Sequence, residues 1–301
     1  MKKRWIVAAS LLLLCGVALI GVALAACGFD LRALDTNHYE TSEYVLDAEA
    51  SVIVVNTKET DVILQPSEDG ERRVVCVERT NVRHKVTCED GTLTVSVEDE
   101  RPWYERWSLF STKKLSVTIR LPAGEYERLT IENSTGGVSI PGDFSFGALD
   151  IKVSTGDVAC AASVTGQMKI GVSTGGIRLC DLRVGELSLS ASTGVIAASA
   201  VICDGNAEII GRTGKVTLTD VVVGGRMSIK ATTGDVTFAR CDAAQISVLV
   251  TTGDVTGSLR TPKVFDAQAS TGKIEVPASG AGGSCEVRAS TGNIRLWIEG
   301  E

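Results

Sequence analysis

Along most of the chain, apolar and polar positions alternate with period two in short runs, and the runs recur at a fixed interval. A Thr-Gly pair followed two residues later by Val or Ile marks each recurrence, with glycines at 136, 156, 175, 194, 214, 234, 253, 272 and 292. The spacing is 19 or 20 throughout. Seven and five residues before each glycine stand apolar columns that begin Leu129, Leu149, Met168 and Ile131, Ile151, Ile170. The column between them is Thr130, Asp150, Lys169, Ser188 and similar residues, so the segment reads as a strand with one wet face. Two residues after the glycine the apolar column resumes with Val138, Val158, Ile177 and Ile196. Each unit is therefore strand, Thr-Gly corner, strand, return. Glycine reaches positive φ without steric cost where the chain bends, and the threonine hydroxyl can bond local backbone.

A unit this short cannot bury its own apolar face, so a fixed period predicts stacking into a solenoid. Asn-Gly or Asp-Gly hairpin turns do not recur at the returns, which argues against an antiparallel meander. The prediction is an all-β fold: a single-stack β-solenoid of about nine coils over residues 123–301, roughly 43 Å long at about 4.8 Å per coil. Ile151, Ile170 and Leu189 should stack on one another, and the coil around Trp297 should be the open end where fraying starts. Residues 43–122 differ in texture, with strand-like runs Ser51–Asn56, Arg73–Glu78 and Thr92–Glu98 separated by charged turns. Tyr44–Leu64 reads as a degenerate first coil and the rest as a β cap over the end of the stack.

The N-terminus has another pattern. Trp5 to Ala26 is a run of 22 uncharged residues, about 33 Å as a helix, which matches a hydrocarbon core of about 30 Å. Lys2, Lys3 and Arg4 precede it, so residues 1–27 read as one N-terminal transmembrane helix with the N-terminus cytoplasmic. Residues 28–42 would be a linker and residues 28–301 would lie outside the cytoplasm, on a single-pass protein of the cell membrane. Leu24-Ala25-Ala26-Cys27-Gly28 also looks like a lipobox with Cys27 lipidated, and Ala23-Leu24-Ala25 like a cleavage site. Length favours the uncleaved anchor, because a secretory apolar region runs about 7–15 residues.

Charge narrows the partners. The formal net charge is −7, and Lys2, Lys3 and Arg4 leave 27 cations against 37 acids, −10, for residues 28–301. A chain so acidic is unsuited to nucleic-acid phosphates. The two histidines, His38 and His84, offer little material for histidine catalysis or a zinc site, and no metal or cofactor is expected.

Several segments together carry a resemblance: the charged N-terminus and anchor, Gly28-Phe29-Asp30-Leu31, Pro66-Ser67-Glu68-Asp69-Gly70, Glu89-Asp90-Gly91-Thr92-Leu93, and repeats of the form Ser154-Thr155-Gly156-Asp157-Val158. The chain resembles the bacterial putative-adhesin family of β-strand-repeat proteins, related to toast-rack envelope proteins. The resemblance covers nearly the whole chain and implies β-repeat architecture and an envelope setting. It brings no enzymatic activity and no residue set to carry over, and some relatives resemble accessory proteins of envelope-stress systems.

Four constellations invite a chemical reading. Gly171-Val172-Ser173-Thr174-Gly175 fits the G-x-S-x-G pattern of a nucleophile elbow, yet Ser173 is only the repeat's serine, matched by Ser154, Ser192 and Ser270. Asp157, Asp235 and Asp254 share the column after the corner, where two carboxylates about 5 Å apart could serve a polysaccharide hydrolase or lyase. Gly, Val, Lys and Asn fill the other copies, so a hydrophilic turn position explains the acids better. Of nine cysteines, Cys160, Cys203 and Cys285 align with apolar core columns, whereas Cys76 and Cys88 fall on neighbouring strands and could pair. Trp103, Tyr104, Trp107 and Phe110 crowd into ten residues, as a lid of rings over the solenoid end or as an aromatic platform for sugar or headgroups. The expected function is non-enzymatic: a membrane-anchored adhesin, scaffold or sensor that presents a repetitive surface to an unknown protein or glycan ligand outside the cell.

Overall fold

The computed structural model describes residues 2–26, 28, 38–99 and 113–300. An α-helix, Lys2–Ala26, opens the chain and exposes apolar side chains such as Leu11, Leu12, Leu13 and Val17. Among the described residues no helix is long and apolar enough to cross a membrane, so the span expected over 5–26 rests on the uncharged run in the sequence alone. Beyond the helix the described strands join in one continuous sheet wound into a parallel β-solenoid.

The stacking follows the apolar columns. Ile151 lies in register with Ile170, and Ile170 with Leu189, all three buried, as the period requires. At every Thr-Gly corner the glycine adopts φ between 134° and 146°, a region closed to residues with a Cβ. Its N–H donates across to the next coil: Gly175 N to Thr193 O at 2.8 Å, Gly194 N to Thr213 O at 2.9 Å. The corners are also crowded, for a Cβ on Gly194 would lie 1.9 Å from Gly175 O.

The central coils have three ladders rather than the two expected. In the coil that starts at 186, one ladder precedes the corner, a second covers Ile196–Ser199, and a third covers Val201–Cys203. Between the second and third sits a residue with left-handed backbone, Asp181, Ala200, Asp220 or Arg240 in successive coils. These positions share a spacing of 19 or 20 but no residue type, so the alternation pattern hides the bend. The third bend carries its own glycine column, Gly147, Gly166, Gly185, Gly205 and Gly225, which packs against the backbone of the preceding coil.

The order of coils in space departs from their order in the chain at both ends. Strand Val264–Thr271 does not follow Val236–Thr252 in the stack; strand Ser284–Thr291 is inserted between them. The corner bonds repeat this order, with Gly253 N donating to Thr291 O and Gly292 N to Thr271 O, each at 2.9 Å. The inserted coil is thus covered by 264–275 as far as Arg295, while Leu296, Trp297 and Ile298 pair only inward with Gly257–Leu259 and Trp297 stays at the edge, as expected. The two coils differ in how deeply their apolar side chains sit. Val287, Ile294, Leu296 and Ile298 of the inserted coil are buried, while the outer coil offers Ala267 and Ala269 and leaves Val264 49% and Ile274 43% exposed. Where the chain crosses over, buried Lys263 bonds the Asp242 carboxylate at 2.5 Å, Ala243 O at 2.8 Å and Thr261 Oγ1 at 2.9 Å.

At the other end, Val52–Glu59 and Asp61–Pro66 form the degenerate first coil, stacked on Gly124–Thr135 and Val138–Ile140; it starts at Val52 rather than Tyr44, which belongs to an antiparallel cap strand. A further parallel layer, Thr92–Asp99 and Ser116–Leu121, lies outside it. Antiparallel strands then close the stack: Val82–Glu89 on Thr92–Asp99, Arg73–Arg79 on Ser116–Leu121, and Tyr39–Val45 on Arg73–Arg79. The reversal of direction ends the parallel ladders, which is the service a cap performs.

Candidate functional site

The acids after the corner do stack as their column indicates, and their carboxylates are engaged with backbone. Asp157 Oδ1 accepts Gly176 N–H at 2.7 Å, Asp235 Oδ1 accepts Asp254 N–H at 3.0 Å, and Asp254 Oδ1 accepts Asn293 N–H at 2.7 Å. Asn293 continues the pattern toward Lys273 N–H at 3.0 Å. Asp61, which sequence reasoning passed over, begins it by accepting Gly137 N–H at 2.8 Å. Its signal was present in Thr60-Asp61-Val62, a Thr-Gly-Asp-Val corner that lacks only the glycine. These acids splice one coil to the next, because the corner's second amide points along the stack with no partner in its own coil. Asp235 and Asp254 lie one above the other, and each holds an amide of the adjoining coil with its Oδ1.

Ser173 lies in an open trough on the wet face of the first ladder, a space of about 520 Å³. Ser134, Ser154 and Ser192 line it from neighbouring coils, with Ser190, and Gly171 opens its floor. One wall is the Glu132–Lys152 ion pair at 2.8 Å, whose hydrogen bond raises the Lys152 pKa. Both histidines lie in the N-terminal cap region rather than beside Ser173, and Lys152 is held by Glu132. Among the described residues lining the trough none is a free base for Ser173, and the G-x-S-x-G match follows the repeat. What the trough offers is a ladder of hydroxyls at the coil spacing of about 4.8 Å, able to donate to and accept from an extended polar ligand.

The cysteine columns are core. Cys160, Cys203, Cys241 and Cys285 are buried, and burial pushes the Cys160 and Cys285 thiols up to about 12. Such thiols are inert at neutral pH. The pairing of Cys76 with Cys88 does not occur: both are free, Cys76 facing Ser42 and Val117 in its ladders and Cys88 facing Leu93 in another. The two strands share only the Arg79–Val82 pair before they part to opposite sides of the cap, a divergence that sequence proximity conceals. Trp103, Tyr104, Trp107, Phe110 and Cys27 lie outside the described residues.

Fold and surface together define a capped parallel β-solenoid with a hydroxyl-lined face. The chain belongs to the toastrack DUF4097 family, whose model matches residues 50–301. Among solved structures it is similar to a putative adhesin from Bacteroides fragilis, 13% identical, covering 86% of this chain and 97% of that one with a TM-score of 0.50. A putative adhesin from Parabacteroides merdae is 12% identical over 87% of this chain and 97% of that one, TM-score 0.48. A putative lipid binding protein from Parabacteroides distasonis is 14% identical over 87% and 98%, TM-score 0.44. At these identities the likeness is one of fold. No curated protein matches the chain.

Proposed function

We propose that the chain is a non-enzymatic adhesin or scaffold of the cell envelope, anchored in the membrane by its N-terminal helix and binding an extended glycan or protein ligand outside the cytoplasm. The observation that carries this reading is the serine trough, where one polar group recurs on successive coils. A repetitive ligand can engage several such groups at once, and each added contact is intramolecular. The acids that would serve an enzyme are bonded instead to backbone amides. The uncharged run 5–26, the exposed leucines of the helix and the three preceding cations support an anchor. Trp103, Tyr104, Trp107 and Phe110, which fall in the sequence between Thr92–Asp99 and Ser116–Leu121, are the second candidate for contact with sugar or headgroups.

The test is a panel of cell-wall and host glycans exposed to the full chain in detergent. Binding without cleavage is expected, weakened by Gly171→Trp, which fills the trough at a position where an added Cβ meets nothing within 4 Å. Cleavage abolished by Asp235→Asn would overturn the reading. Binding that ignores Gly171→Trp yet disappears with Trp103→Ala and Trp107→Ala would move the site to the aromatic segment. For the tether, Cys27→Ser should change neither mass nor membrane fraction. An intact mass beginning at Cys27 would replace the spanning helix by a lipid anchor.

A further inference from the structure

The cap contains a cluster that the trough does not use. Cys76 and Glu78 alternate on strand Arg73–Arg79 and point to the same interior, and His84 enters it from strand Val82–Glu89. All three are buried. Glu78 is held on both oxygens: Oε1 accepts Ser42 Oγ at 2.6 Å, and Oε2 accepts His84 N–H at 2.6 Å and lies 2.9 Å from His84 Nδ1. Tyr44 Oη donates to His84 O at 3.0 Å, which fixes the backbone beneath the ring. The sulfur, a carboxylate oxygen and a ring nitrogen lie within 4.8 Å of one another. His84 Nε2, on a side chain 1% exposed, has no hydrogen-bond partner.

Packing alone does not account for this set. An interior site filled for shape favours apolar residues, whereas a carboxylate beside an imidazole with one nitrogen unsatisfied is costly to bury. An ion among the Cys76 sulfur, a Glu78 oxygen and a His84 ring nitrogen would replace the direct Glu78–Nδ1 contact of 2.9 Å. We propose that the cap holds one divalent transition-metal ion of the zinc class, ligated by Cys76, His84 and Glu78.

The donor set selects the ion. Sulfur and nitrogen ligands exclude magnesium and calcium, which take oxygen, and thiolate with imidazole and carboxylate suits zinc. Without an ion, burial and the Glu78 charge push the Cys76 thiol up to about 12, so binding must expel its proton as the metal–sulfur bond forms; thiolate plus carboxylate then neutralise the two positive charges. Three protein ligands occupy three of the four positions zinc takes. The ion would tie together two cap strands that otherwise share a single paired position, Arg79 with Val82, and would thus be a structural clasp at the closed end. Sequence spacing gave no hint of it, because Cys76-x-Glu78 and His84 match no standard ligand spacing and converge only through the hairpin at Thr80-Asn81.

The experiment uses the full chain, reduced, stripped with chelator and titrated with Co²⁺ as a coloured stand-in for zinc. One equivalent should bind with a thiolate-to-cobalt charge-transfer band that Zn²⁺ abolishes. Loss of a supporting hydrogen bond alone weakens metal sites roughly 10–100-fold, so Cys76→Ser and His84→Gln should bind at least about 100-fold more weakly. Cys88→Ser should bind as the parent does. X-ray absorption of the zinc-loaded wild type needs no variant to fold and should show one sulfur, at about 2.3 Å, among nitrogen and oxygen neighbours. Failure of the wild type to bind a stoichiometric ion, a band that survives both substitutions, or a shell with no sulfur or several would each overturn the proposal.

Discussion

Gly194→Ala tests the corner at its centre. The glycine sits at φ 145° with its N–H bonded to Thr213 O at 2.9 Å, and the neighbouring Gly175 N–H is bonded to Thr193 O at 2.8 Å. An alanine must either hold a backbone region that costs about 3 kcal/mol for a residue with a Cβ or leave it. Its Cβ would also stand 1.9 Å from Gly175 O, so the coils must part locally. Two amide bonds at about 1 kcal/mol each are then lost or bent. The total is on the order of 5 kcal/mol, a large share of the roughly 5–15 kcal/mol that stabilises an ordinary domain. Gly171→Ala is the matched control: it lies in a strand, its added methyl meets nothing within 4 Å, and a strand alanine is favoured over glycine by about 0.5–1 kcal/mol. Urea unfolding of the full chain in detergent, followed by far-ultraviolet circular dichroism, separates the two. Gly194→Ala should lower the midpoint sharply and Gly171→Ala should hold or raise it. A drop in the slope for Gly194→Ala would mean that the stack has broken into two cooperative halves at that coil. If the two variants differ by less than about 1 kcal/mol, the corner is not the strained, crowded hinge described above.

Three further outcomes follow from the same geometry. In hydrogen exchange the amides of 264–275 should open before those of 284–291, although the latter are nearer the C-terminus; the reverse order would refute the exchanged coils. Lys263→Met should cost about 2–3 kcal/mol by urea unfolding, less than the roughly 3–5 kcal/mol of a fully buried broken pair because Asp242 keeps 18% exposure, and should speed exchange in 264–275 first. The Cys160 and Cys285 thiols, raised by burial to about 12, favour the protonated form in the fold, so their stabilising effect is complete below the ordinary thiol value near 9 and is lost as pH climbs toward 12. Each should lower stability by about 1.4 kcal/mol between pH 8 and 10, and Cys160→Ala should remove about that much from the alkaline loss; an unchanged loss would mean the thiol is not desolvated.

The repeat determined much of this protein without help. Period-two alternation locked to a 19 or 20 residue interval leaves few ways to bury Ile151, Ile170 and Leu189 except against one another, and glycine at each corner states where the chain turns. The acids after the corner were legible as turn residues for the same reason, since a position filled by Asp, Gly, Lys or Asn answers to the turn rather than to a substrate. Three features were decided only in three dimensions. The bend at Asp181, Ala200, Asp220 and Arg240 has no shared side chain because backbone conformation, not residue type, recurs there. Which coil lies at the open edge was not set by chain order, because two units with the same alternation can each stack on Val236–Thr252, and only the pairing of Ser284–Thr291 there leaves 264–275 outside. Cys76, Glu78 and His84 meet because a hairpin diverges over the cap, and a contact made by diverging strands leaves no period in the sequence to be read.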